Sequence, residues 1–230
     1  MKIDPLKLRQ VSVFQNATDE DLKLIAGQGI ERSIEEGEFF FFQGDPADYL
    51  YVLISGRAKL MQTNPAGQQV NLRTISDWQM FGALGAVREG ATYPASAQAL
   101  DNSTALAIKS EYLQELMQTR PYLSFDLMKL MTSYIQEMQE RYRELATEKV
   151  ERRIARALLR LAAQMGTKNV GGIELTFTRQ DLAEMSGTTL YTVSRVLSDW
   201  ERQGLVEAGR ERVLIRNPHG VVSIAEELRE

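Results

Sequence analysis

Arg195 is the residue whose type and position argue most directly for a chemistry. It falls in the run Leu190-Tyr191-Thr192-Val193-Ser194-Arg195-Val196-Leu197. Helical spacing gathers Val193, Val196, Leu197 and Trp200 on one apolar face. Leu190, Tyr191, Ser194 and Arg195 then face outward near the start of that helix. A guanidinium so placed forks onto the O6/N7 edge of a guanine, and an apolar or aromatic side chain meets a thymine methyl. Upstream, in Phe177-Thr178-Arg179-Gln180-Asp181-Leu182-Ala183-Glu184-Met185-Ser186-Gly187-Thr188-Thr189, Thr178 reads as an N-cap with Asp181 three residues on. Arg179 and Gln180 suit backbone phosphates. So do Thr178 and Thr189, at helix N-termini whose first N–H groups are unpaired. Arg210 and Arg212 are two further phosphate candidates, with plain surface charge as the alternative reading.

These residues need a frame. Two short helices crossing at Ser186-Gly187 form a helix-turn-helix, with Gly204 closing the second as a C-cap. The first helix packs across the second and holds it proud, so that it can enter a major groove. Residues 205–208 and 212–215 then read as a β hairpin, which makes the motif a winged one. A preceding helix over residues 150–165 presents Ile154, Ala157, Leu158 and Leu161, and Gly166 and Gly171-Gly172 bound the loop after it. Residues 149–216 hold 12 Lys/Arg against 8 Asp/Glu, whereas residues 1–148 hold 14 against 20. The C-terminal part is therefore the part expected to meet a polyanion.

The 230 residues carry 27 Lys+Arg and 31 Asp+Glu, a net charge of −4, with 43% hydrophobic residues. That is ordinary for one large or two modest globular domains. There is no cysteine, and His219 is the single histidine. Iron–sulfur clusters, disulfides, thiolate zinc and cysteine nucleophiles are excluded, as are multi-histidine metal sites such as those of catalytic β rolls. No catalytic residue or metal site is assigned, and no enzyme is expected. No apolar run reaches the length of a membrane span, and the first ten residues lack a signal-peptide core, so a cytoplasmic protein is expected.

The N-terminal half has a different texture. Thr18 and Asp21 resemble a capping box ahead of a short helix. Short β-rich runs then alternate with turns, over residues 38–42, 49–54, 57–61, 68–75, 95–100 and 103–108, with Gly56 and Gly67 suited to hairpin turns of positive φ. The pattern predicts a sandwich or barrel-like roll, with the run Phe39–Phe42 as a buried strand. Ser110 is a candidate cap for a helix over residues 111–118. A long helix follows from about residue 122 to 147. Leu127, Met131, Tyr134, Met138 and Leu145 recur along it at heptad spacing. At 1.5 Å per residue it would extend about 40 Å, too far for a small roll to cover. The seam is therefore read as a parallel homodimer interface; the alternative is a helix lying against its own body.

Together these residues resemble the cyclic AMP receptor protein/FNR family of bacterial transcription regulators. The resemblance spans nearly the whole chain. It runs through Gly37, Gln43-Gly44-Asp45, Leu53-Ile54-Ser55-Gly56, Gly67, Phe81-Gly82-Ala83-Leu84-Gly85 and Ala95-Ser96-Ala97, then through Thr178–Ala183 and Thr192–Leu197. It implies an α+β chain in three parts: a double-stranded β-helix (jelly roll) effector-sensing domain over residues 1–120, a dimerisation helix over 121–148, and a winged helix-turn-helix DNA-binding domain over 149–230. It further implies a dimer on a palindromic operator of double-stranded DNA, an effector between roll and dimer helix, and a contact with RNA polymerase, for which residues 164–172 are the candidate.

Departures from the family pattern narrow the signal. The glutamate that holds the ribose of cyclic AMP is Ala83 here, and the arginine that pairs its phosphate is Ala95. Met138 and Gln139 replace the adenine-contacting pair. A buried phosphate without a countercharge is costly, so no cyclic AMP dependence is expected. The missing cysteines remove an iron–sulfur sensor. A haem is left with Met or Tyr ligands, since His219 lies in the C-terminal part, and is the poorer alternative. The cofactor stays unassigned. An apolar or small organic effector near Gly82, Leu84, Gly85, Tyr93, Ser96, Tyr134 and Met138 is one reading; no effector, with control through protein level, is the other. Many members carry glutamate where Tyr191 stands, so the base pair read there should be relaxed while Arg195 keeps its guanine. A module regulating a protein partner instead of DNA is the reading from another class.

Overall fold

The computed structural model describes residues 3–67, 69–209 and 211–226. They divide into two compact units, residues 1–137 and 138–230.

The first unit begins with two 3-10 turns and α1 (Asp19–Gln28), whose cap is as expected: Thr18 Oγ1 accepts the Asp21 N–H at 3.1 Å. Eight strands follow: β1 (Ile30–Ile34), β2 (Phe39–Phe41), β3 (Tyr49–Ser55), β4 (Ala58–Thr63), β5 (Gln69–Ile75), β6 (Met80–Phe81), β7 (Ser96–Ala99) and β8 (Ser103–Lys109), with the one-turn helix α2 (Leu84–Val87) between β6 and β7. They make two antiparallel four-stranded sheets, ordered β1-β8-β3-β6 and β2-β7-β4-β5. Period-two alternation sorts their side chains. Tyr51, Leu53, Ala105 and Ala107 of one sheet meet Phe41, Ala58, Ile75 and Ala97 of the other inside the roll. The intervening Leu50, Val52, Leu106 and Ile108 point the opposite way, into a second core with Phe14, Leu22 and Ile25. Gly56 and Gly67 take positive φ, 98° and 79°, as their turns require.

Two helices complete the sequence of elements here: α3 (Ser110–Thr119) and the 27-residue α4 (Pro121–Thr147). Ser110 is not the cap of α3. It is the first helical residue, buried, and its hydroxyl donates to the Ala47 carbonyl at 2.7 Å, tying the helix to the β2–β3 connection.

The heptad on α4 requires a correction. Leu127 is 4% exposed and belongs to the core of its own unit, and Met131 packs on that core. Tyr134 is half-buried, its hydroxyl 3.4 Å from the Met80 carbonyl. That stripe is therefore the face α4 turns to its own body. The apolar residues left outside are Phe125, Met128, Ile135, Met138, Tyr142 and Leu145, again at steps of three, four and seven. Met138 and Leu145 lie on the exposed side.

The second unit contains α5 (Val150–Met165), β9 (Thr167–Asn169), β10 (Gly172–Thr176), α6 (Arg179–Ser186), α7 (Leu190–Arg202), β11 (Val206–Ala208), β12 (Arg212–Ile215) and α8 (Pro218–Glu226). The strands form one antiparallel sheet, β11-β12-β10-β9. The segment read as a plain loop is thus the β9–β10 hairpin, and α8 is an addition. The end of α4 belongs to this unit for a physical reason. The buried carboxylate of Glu144 meets Arg160 at 2.7 Å, and that of Glu148 meets Arg156 at 3.0 Å. No helix among the described residues is long and apolar enough to cross a membrane.

Candidate nucleic-acid interface and effector site

The second unit exposes a surface built on α6 and α7. Thr178 caps α6 with a complete capping box: its Oγ1 accepts the Asp181 N–H, and the Asp181 carboxylate accepts the Thr178 N–H, both at 3.1 Å. Gly187 ends α6 at φ 60°, ψ 47°, a left-handed turn that glycine adopts freely. Two groups clasp this turn. The Arg153 guanidinium donates to the carbonyls of Ser186 and Gly187 at 3.0 and 3.2 Å, and to that of Glu148 at 2.9 Å. Leu145 lies so close that a Cβ on Gly187 would come within 2.5 Å of its Cδ2. Thr189 then caps α7, its Oγ1 accepting the Thr192 N–H at 3.2 Å.

On α7, Val193, Val196, Leu197 and Trp200 are buried. Leu190, Tyr191 and Arg195 are exposed, Tyr191 at 79%, and Ser194 is half-buried among them. The base-reading set expected from sequence is thus brought to one face. Among the described residues Arg195 has no ion-pair or hydrogen-bond partner, and neither has the half-buried Arg179. The other phosphate candidates are more engaged. The hydroxyls of Thr178 and Thr189 serve as caps, and the Gln180 amide donates to Glu184 at 2.9 Å. Arg212 lies 3.3 Å from both Glu174 and Glu207, so its guanidinium is already ion-paired. Arg216, with Arg212 behind it, holds the Glu207 carboxyl below its usual range by hydrogen bonding and charge. Arg210 lies outside the described residues.

The expected effector residues divide. Gly82 takes φ 71°, and a Cβ there would press on the rings of Phe41 and Tyr93 at 3.1 and 3.2 Å. Tyr93 is no pocket wall. It is 3% exposed, stacked on Phe41 with ring centres 3.7 Å apart, and its hydroxyl donates to the Tyr49 carbonyl at 2.5 Å. Burial raises its phenol pKa far above the ordinary value. Ser96 is 8% exposed, with its Oγ accepting the Gln43 N–H at 2.9 Å. Leu84 is 37% exposed on α2, which also carries Gly85. Tyr134 does face this region of the roll, whereas Met138 is an exposed residue of the second unit.

Ala83 and Ala95 are both buried, at 8% and 4%, and bring no charge. Sequence reasoning missed Arg73. It stands opposite Leu60 in the β4–β5 ladder, two residues before the core residue Ile75, so it shares the interior face of the roll. Its guanidinium lies 4.0 Å from the centre of the Tyr134 ring. A cation at an inward position of a period-two strand was the signal available. Among the described residues no group of His, Asp and Glu is gathered as a metal site, and an iron–sulfur cluster finds no cysteine to hold it.

Known proteins resemble the chain over both units. A cyclic nucleotide-binding domain model matches residues 31–120, and a Crp-like helix-turn-helix domain model matches residues 152–223. The transcriptional activator protein anr of Pseudomonas aeruginosa is 31% identical, over 80% of this chain and 75% of its own. The cyclic AMP receptor protein of Thermus thermophilus is 29% identical, over 89% and 92%. Among solved structures, the c-di-GMP-responsive global regulator CLP of Xanthomonas campestris shares the fold with a TM-score of 0.74, at 24% identity over 82% of this chain and 94% of that one.

Proposed function

Because the chain belongs to the CRP/FNR family of DNA-binding transcription regulators, we propose that it works in the cytoplasm as a homodimer that reads a palindromic operator through α7. The observation that carries this reading is Arg195: exposed, without a partner among the described residues, and set with Tyr191, Ser194 and Leu190 opposite the buried face of α7. Arg195 reads one guanine in each half-site, and Tyr191 contacts a thymine methyl or the backbone. Arg179 and the helix N-termini seat the protein on phosphates. The exposed stripe of α4 from Phe125 to Leu145 is the face that meets the second copy, which sets two half-sites about one helical turn apart.

In this reading residues 1–120 sense an effector, 121–148 dimerise and 149–230 bind DNA. The effector is not cyclic AMP, since the two charged clamp positions are the buried Ala83 and Ala95. It acts by binding one arrangement of the dimer better than the other. Membership of the family supports contact with RNA polymerase and a role without enzymatic activity. A cyclic AMP titration that tightened operator binding at micromolar concentration would overturn the effector assignment.

Selection of bound sequences from a random DNA pool, with and without cell extract, tests the core of this reading. A palindrome should emerge. Arg195→Ala should then cost about 1–3 kcal/mol, concentrated at one G·C pair per half-site. An equal loss on every half-site variant would remove Arg195 from base reading, and failure of the wild type to retain any fragment at low salt would favour a protein partner.

A further inference from the structure

We propose that Arg73, held against Tyr134 of α4, is the contact that recognises an anionic small-molecule effector bearing a carboxylate or phosphate group. The proposal deepens the effector reading above and rests on it. Arg73 is half-buried on the interior face of the β2-β7-β4-β5 sheet. One face of its guanidinium is covered by the Tyr134 ring at 4.0 Å, and its Nη2 donates to the Gln79 side-chain oxygen at 3.3 Å. Its remaining N–H groups have no partner, and no carboxylate pairs it, among the described residues.

A partly desolvated cation without a countercharge carries an energetic cost that a ring face and one amide offset only in part. Arg57, by contrast, is bonded to Asp101 at 2.7 Å. Arg73 is instead positioned: Gln79 fixes one edge, its own N–H neighbour Ser76 shares that Gln79 oxygen at 3.3 Å, and Tyr134 fixes the plane. A planar guanidinium fixed in this way suits the oxygens of a carboxylate or phosphate. Ala83 and Ala95 show where this roll does not hold charge, and Arg73 shows where it does. The ligand is thus an anion rather than the purely apolar molecule that the missing clamp suggests. Because the charge lies against a residue of α4, an anion there engages the roll and the long helix together.

The test uses the full chain and simple probes. Melting temperature and calorimetric binding are measured with inorganic phosphate, citrate and cyclic AMP, each against sodium chloride of matched ionic strength, for the wild type, Arg73→Gln and Arg73→Lys. Operator retention is followed in parallel. Phosphate or citrate should stabilise the wild type beyond chloride, with affinity lowered roughly tenfold in Arg73→Gln and by a smaller but measurable factor in Arg73→Lys, which keeps the charge and loses the planar fork. Response to phosphate alone, or to citrate alone, assigns the class of anion. No response of the wild type to any probe overturns the proposal, as does a response that Arg73→Gln retains in full, including a response to cyclic AMP. Operator binding separates the two readings: loss of the anion response with DNA retention intact leaves the regulator standing, whereas a wild type that binds anions but no DNA sinks the regulator and not the site.

Discussion

Asp21, like Asp126, is one of the carboxylates that tie the N-terminal unit's stability to pH in acid. It is 4% exposed, yet it is charged. Burial alone would raise its pKa, but the Tyr122 hydroxyl at 2.6 Å, the Arg120 guanidinium and the Thr18 cap outweigh that and hold the value at about 2. Its folded pKa lies below its unfolded one, so its contribution is complete above pH 3.8 and fades as pH falls toward 2. The gap corresponds to about 2 kcal/mol at neutral pH. Asp21→Asn should lose about that much at pH 7 in urea melts. It should also flatten the stability profile between pH 3.8 and 2; an unchanged acid limb would show that other carboxylates govern it. At this scale much of the candidate interface was legible. Leu190, Tyr191, Ser194 and Arg195 were placed outward by periodicity alone, because α7 has a single buried face. Arg73 was not, because its meaning depends on Tyr134, far away in the chain. Tyr93 was misplaced for the same reason: only the fold reveals Phe41 stacked on it.

At the scale of elements, α4 explains why pattern reading stops where it does. A helix that packs on its own roll and, as proposed, also meets a second copy needs two apolar faces, and a heptad count cannot say which is which. Leu127, Met131 and Tyr134 form one; Phe125, Met128, Ile135 and Tyr142 form the other. The two faces make different predictions. Leu127→Ala should cost about 2–5 kcal/mol of unfolding free energy, since it opens a cavity in a closed core, and should leave the mass in sedimentation unchanged. Ile135→Glu should leave the monomer folded and halve that mass by placing a charge in the seam. If Leu127→Ala dissociated the protein and Ile135→Glu did not, the assignment of faces would be reversed. Six strands of the roll and the helix-turn-helix were read close to their observed limits because turn glycines punctuate them, whereas β1 and β6 were not read. The β9–β10 hairpin was missed because its exposed residues, Thr167, Lys168 and Asn169, carry no alternation.

For the molecule as a whole, charge decides how DNA binding responds to salt. The chain is acidic, at net charge −4, and residues 1–148 hold 14 Lys/Arg against 20 Asp/Glu. That body repels a polyanion, so attraction has to come from a few cations of the second unit that are not already spent. Arg212 and Arg216 are spent on Glu174 and Glu207, and Arg153, Arg156 and Arg160 are spent on the junction between α4 and α5 or on the Gly187 turn. Arg179 is not. Each neutralised phosphate adds roughly −0.9 to the slope of log affinity against log salt. Arg179→Gln should therefore make the slope of a dimer shallower by about 2, equally on every half-site variant, because phosphates carry no sequence. Arg212→Gln should change it much less, since breaking its carboxylate contacts offsets what a phosphate would return. Titrations of operator binding across a salt series measure both. Equal slope changes for the two variants would mean that the Glu174 and Glu207 pairs open on DNA, and that the wing shares the phosphate contacts with the start of α6.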